Sequence, residues 1–143
     1  ITHKILNTND VTNKIFDCWN TVRKKNPKDN NIPIYIQLVD KLKIYIISDK
    51  IKVGERLPSV RELAMQLKVN PNTVQRALGE LENLKLIYTE RTNGKYVTTD
   101  KNLINKIKND YAKELSDKYF SGMKDIGFSK NDTIKYLKDL GGE

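Results

Sequence analysis

A single cysteine, Cys18, leaves nothing from which to build an intrachain disulfide framework, and such usage suits a reducing compartment rather than secretion. Histidine is equally scarce: His3 stands alone near the start of the chain, so no metal-ligand spacing can be written. Long apolar runs are missing too. The longest, such as Ile44 to Ile47, span only a few residues, which excludes a membrane-crossing helix and the apolar centre of a signal peptide; the cytoplasm is the expected location. There is no phosphate-cradling glycine loop, and the carboxylates are scattered over solvated positions. Catalysis, cofactor and metal therefore have no residues to rest on, and a non-enzyme is expected. An apolar content of 38% is low for a chain with one large core, and predicts a small core with long solvated helices. The chain begins at Ile1 rather than Met, which reads as a trimmed or partial sequence.

Basic charge is what the chain has in excess. Lysine and arginine total 26 against 18 acidic residues, for a net charge of +8 and a pI near 9.5, a balance that favours a polyanionic partner. The excess is spread along the whole chain rather than gathered in a polybasic tail.

Hydrophobic spacing divides the chain in three. Over residues 1–31, Val11, Ile15, Cys18, Trp19 and Val22 recur every three or four residues, an amphipathic helix ending before Pro27 and the linker-like run KNPKDNN. Residues 32–100 open with a second helical pattern, Tyr35, Leu38, Val39, Leu42 and Ile46, followed by KVGERLP, a glycine turn with one short strand. Two helix starts then follow in quick succession. Ser59, three residues before Glu62, has capping-box spacing, and Asn70 before Pro71 pairs an N-cap side chain with the residue suited to the first helical position. Val60, Leu63, Ala64 and Leu67 line one face of the first helix; Val74, Ala77, Leu78 and Leu81 line one face of the second. With only about Lys68 to Asn70 between them, the pair is a helix-turn-helix.

The runs LIYTER and KYVTT flank Thr92-Asn93-Gly94, a hairpin signal because Asn93 and Gly94 both tolerate the positive φ that a tight hairpin turn demands. Three helices and a hairpin make a winged helix. In residues 101–143, Ile104, Ile107, Tyr111, Leu115, Tyr119 and Ile126 fall mostly four apart, a stripe that must spiral or break, with the break placed near Ser121 and Gly122. Gly127 ends that helix, and Ser129 with Asp132 starts a last one carrying Ile134, Leu137 and Leu140. The expected fold is thus mainly α with a small β-hairpin wing.

With its apolar residues inward, the second helix of the pair turns Asn72, Arg76, Gly79 and Asn83 outward, flanked by Gln75 and Thr73. Arginine can fork onto guanine O6 and N7, asparagine or glutamine onto adenine N6 and N7, and a helix fits the major groove. Taken alone, the same face also describes any solvated helix. Arg91, Asn93, Gly94 and Lys95 at the hairpin could reach a phosphate or a minor groove, or simply form a solvated turn; Arg61 could hold DNA or pair with an acid.

The stretch GERLPSVRELAMQLKVNPNTVQRALGELENLKLI resembles the DNA-binding domain of the GntR family of bacterial transcription regulators, a resemblance running from PIYIQLVDKL to about Val97. The pattern G-x-x-L-P-S-x-R-x-L-A is present as Gly54, Leu57, Pro58, Ser59, Arg61, Leu63 and Ala64, and VNPNTVQRA is similar to the YtrA-like branch, with its short two-helix dimerising tail. The resemblance implies DNA contacts at Arg61, Asn70, Asn72, Thr73, Gln75, Arg76 and wing-tip Gly94. It also implies a homodimer joined through the tail, for which Ile104, Ile107, Tyr111, Leu115, Tyr119, Ile134 and Leu137 are the candidates. The expected activity is that of a repressor on a two-fold symmetric double-stranded DNA operator. The wing reads TNG in place of a more basic glycine-rich loop, and residues 1–31 have no counterpart in the family. Two rivals are a DNA-binding fragment of a larger GntR-type regulator and a winged-helix protein-interaction module, which would carry an apolar or acidic recognition face. Any small-molecule effector would have to sit between subunits, because the tail is too short to enclose a pocket by itself.

Overall fold

Local hydrogen-bonding rules place most of the elements. In the computed structural model, which describes residues 11–17, 19–20 and 31–141, an N-terminal helical segment precedes α1 (Ile34–Ile47), α2 (Val60–Leu67), α3 (Pro71–Asn83), β1 (Ile87–Glu90), β2 (Gly94–Val97), α4 (Lys101–Asp125) and α5 (Lys130–Gly141). His3, Cys18, Val22 and most of the KNPKDNN run lie outside the described residues. The chain divides into two compact units between Ile104 and Asn105.

In the first unit, α2 opens with a complete capping box: Ser59 Oγ accepts from the Glu62 N–H at 3.1 Å, and the Glu62 carboxylate accepts from the Ser59 N–H. Lys68 closes α2 in the left-handed region, at φ 55°, and makes the corner. Two residues later Asn70 Oδ1 accepts from the Asn72 N–H at 2.8 Å, with Pro71 at the first helical position. The inward residues of α2 and α3 form the core with α1: Leu38, Leu42, Leu63, Val74, Ala77, Leu78 and Leu81 are all buried, while Tyr35 and Val39 are half-buried. Val11, Ile15 and Trp19 of the N-terminal segment are buried as well, and the Lys14 ammonium donates to the Lys50 carbonyl just beyond α1.

The wing is antiparallel, Ile87 pairing with Val97 and Glu90 with Gly94, and Tyr88 stacks on Tyr96 across the strands. A third stretch joins it. Leu57 N–H donates to Lys95 O and Val97 N–H to Glu55 O, so the residues leading into α2 run along the second edge of β2. The turn uses only one of its two permissive residues. Residues 91–93 form a three-residue loop closed by Asn93 N–H on Glu90 O, and only Gly94, at φ 100°, is left-handed; Asn93 is not. A three-residue loop needs a single left-handed position, directly after its turn, and glycine fills it.

The second unit follows a helix-corner-helix path. α4 runs unbroken for 25 residues, so of the two expected outcomes, a spiralling stripe or a break near Ser121 and Gly122, the break does not occur. Its stripe is largely exposed, so no single partner surface within the unit forces the helix to stay in register, and a helix tolerates one glycine at a cost of only about 1 kcal/mol. Gly127, at φ 100°, ends the turn, and Ser129 with Asp132 forms the capping box of α5. Phe128 meets Tyr136 edge-on at 5.8 Å, and Lys130 lies over the Phe120 ring.

Candidate nucleic-acid interface

The helix-turn-helix core fixes what α3 presents. With Val74, Ala77, Leu78 and Leu81 buried, Asn72, Gln75 and Arg76 are exposed on the opposite face, and Thr73 is half-buried at its flank. Asn70 spends its side-chain oxygen on the cap, which leaves its amide NH2 for a partner. Arg61, in the first turn of α2, is also exposed. Arg76 does not simply extend into solvent: its guanidinium carbon lies 3.9 Å from the centre of the Tyr35 ring, on α1. A Cβ built on Gly79 would meet nothing within 4 Å, so no packing inside the described residues requires glycine there.

At the wing, the hairpin separates the two expected cations. Arg91 is exposed in the loop. Lys95 folds back instead, its ammonium donating to the Glu82 carboxylate and, at 3.0 Å, to Thr89 Oγ1; Thr89 in turn donates to Glu82 at 2.7 Å. The Lys95 hydrogen bond, and after it that of Thr89, holds the Glu82 carboxyl below its ordinary value, against the opposing effect of burial. A different cation stands beside the wing. Arg56, brought alongside β2 by the pairing of residues 54–57, lies over Gly94, its Nε 3.4 Å from where a Cβ would stand. Sequence reasoning passed over Arg56 because it precedes the helix-turn-helix and is 38 positions from Gly94; only the strand-like character of KVGERLP pointed toward the hairpin.

In the tail, Ile104 is buried and belongs with the first unit, Ile107 and Tyr111 are half-buried, and Leu115, Tyr119, Ile134 and Leu137 are exposed. Leu140, expected on the same apolar edge of α5, is exposed too, as is Tyr136, which was not singled out beforehand. Among the described residues no group of three or more His, Cys, Asp or Glu side chains could hold a metal, and no helix is long and apolar enough to cross a membrane.

Residues 34–97 match the gntR family of bacterial regulatory proteins. The HTH-type transcriptional regulator YhcF of Bacillus subtilis is 33% identical over 106 residues, covering 74% of this chain and 88% of YhcF. The chain belongs to the GntR family. It is a transcription regulator, as the family resemblance implied, of the winged helix-turn-helix type; its family and relatives are regulators and not enzymes. The HTH-type transcriptional repressor YtrA of the same organism is 42% identical over 69 residues, 48% of this chain and 53% of YtrA. A solved GntR family regulator from Listeria monocytogenes superposes with a TM-score of 0.71 at 43% identity, covering 77% of this chain and 96% of that one. That match extends past the family's helix-turn-helix, since residues 34–97 alone are less than half of the chain.

Proposed function

We propose that this protein is a cytoplasmic repressor that binds a two-fold symmetric operator as a homodimer. The observation that carries the reading is the outward face of α3, where Asn72, Gln75 and Arg76 are exposed on a helix held rigid by a cap at its start and a buried face behind it. These side chains have the donor geometry to read base edges, and an apolar or acidic protein-docking face is what α3 lacks. Asn70, Thr73 and Arg61 flank that face and would hold phosphates, with Gly94, Arg91 and Arg56 at the wing. Lys95, engaged by Glu82, contributes less.

The exposed Leu115, Tyr119, Ile134 and Leu137 support pairing through the tail, because apolar side chains on two successive helices lower their free energy by being covered. Repression rests on the printed roles of YtrA and of NagR of Bacillus subtilis, a second repressor that is 36% identical over 74 residues. Selection of bound duplexes from a random DNA pool, paired with sedimentation of the free protein, tests the whole reading. The expected result is an inverted repeat and a dimeric sedimentation coefficient. A pool that stays random defeats base reading, an asymmetric site defeats two-fold binding, and a monomer at micromolar concentration defeats the tail interface.

A further inference from the structure

Arg76 is an exposed side chain on α3, yet it is not left to wander. Among the described residues no carboxylate pairs with it; its contact is the Tyr35 ring, 3.9 Å from the guanidinium carbon. Tyr35 is itself well placed. It is the second residue of α1, whose entry is set by Pro33 at the N-cap and by Gln37 Nε2 donating to the Ile32 carbonyl at 2.8 Å, and α1 packs directly on α3. The aromatic ring therefore comes from outside the helix-turn-helix and reaches the middle of its second helix.

We infer that Tyr35 is a positioning residue for sequence readout, holding the Arg76 guanidinium by its face so that its edge is presented to a guanine. This rests on the reading of α3 as the base-contacting helix. The chemistry of the group makes stacking and reading compatible. A guanidinium is planar, weakly hydrated on its faces, and carries all five N–H donors in its plane. A ring beneath one face uses none of those donors, while the cation over the π cloud is attracted to it. Restricting the rotamers of a long side chain before DNA arrives lowers the ordering cost of binding, and the benefit appears only where the oriented fork meets its base. A lysine at position 76 could sit over the ring but could not fork, and an arginine without the ring could fork but would first have to be ordered.

The test uses the full chain and two duplexes, the site selected from the random pool and the same duplex with that site scrambled. Anisotropy titrations at several salt concentrations read the ratio of the two affinities. Tyr35→Phe should keep the ratio of wild type, since the ring suffices. Tyr35→Met, with no π face, should lower it by about two- to fivefold, the range of an exposed cation–π contact, with the salt slope unchanged. Arg76→Ala should lower it further, and Tyr35→Met on top of Arg76→Ala should add nothing. A ratio that falls equally in Tyr35→Phe overturns the proposal and makes the hydroxyl the working group. A ratio unchanged in Tyr35→Met but lowered in Arg76→Ala overturns the positioning role while leaving base reading intact; a ratio unchanged in Arg76→Ala overturns base reading itself. Thermal melting checks the fold of each variant. Should the Met variant melt below the assay temperature, Tyr35→Leu, also without a π face, takes its place with the same two outcomes.

Discussion

Replacing Glu82 by alanine should move stability and DNA affinity in opposite directions. In the wild type, the Glu82 carboxylate accepts from the Lys95 ammonium and from Thr89 Oγ1, with the Lys95 and Glu82 side chains 19% and 35% exposed. An exposed ion pair contributes about 0.2–1 kcal/mol, and the Thr89 hydrogen bond adds about 0.5–1.5 kcal/mol in an enclosed setting. Solvent reaches both groups, and alanine favours the helix slightly, so a net loss of about 1 kcal/mol is expected for Glu82→Ala. That corresponds to about 4–8 °C in melting temperature for a domain of this size. The released ammonium stands on the wing. If the wing lies along a phosphate, the logarithmic salt slope for unrelated DNA should steepen by about 0.9 for each wing engaged, and affinity at low salt should rise. Circular-dichroism melts and titrations over a salt series measure the two effects. The carboxyl sits below its ordinary value of 4.5, so its contribution is complete above that pH and is lost as pH falls through the lowered folded value. The gap in melting temperature between wild type and variant should accordingly be constant near neutrality and close in acid. An unchanged melt refutes the Glu82–Lys95 link; a lowered melt with an unchanged salt slope refutes placement of the wing against phosphate.

Three further substitutions test other parts of the structure. Gly94→Ala forces a left-handed alanine at φ 100° against the Arg56 guanidinium, and should cost about 1–3 kcal/mol in urea unfolding. Gly79→Ala meets open space, so it should stabilise the chain by about 0.5–1 kcal/mol while weakening operator binding if DNA approaches the α3 backbone there; equal or tighter binding would remove that approach. Leu137→Lys, on an exposed tail position, should leave helicity unchanged in circular dichroism but shift sedimentation to the monomer; a persistent dimer would place the interface elsewhere.

Much of the fold was legible because the signals are short. Ser59 with Glu62, Asn70 with Pro71, and Ser129 with Asp132 each complete their hydrogen bonds within three residues, so the starts of α2, α3 and α5 could be read without knowing what surrounds them. Gly127 ended the second-to-last helix where its backbone freedom suggested. Two details were left open where a local rule admits more than one outcome. Asn93-Gly94 suits a two-residue turn, but pairing of Glu90 with Gly94 lengthened the loop and left Asn93 out of the left-handed region. The stripe of α4 drifts as its spacing requires, yet the helix at Ser121 and Gly122 continues because little is packed against it to demand a break.

The sequence by itself determined the helix-turn-helix, the presence of a wing and the family, since each depends on neighbours within one or two turns or on a contiguous motif. Tertiary structure alone decided which cations remain available. Whether Lys95 faces a phosphate or a carboxylate depends on the end of α3 standing beside the wing, which puts Glu82 within reach of it. Arg56 meets Gly94 only because residues 54–57 pair with β2, and Arg76 meets Tyr35 only because α1 packs on α3. Side-chain charge is written in the sequence, but its partner is chosen by whichever group the packed backbone brings within a few ångströms, where Coulomb attraction and hydrogen bonding outweigh hydration.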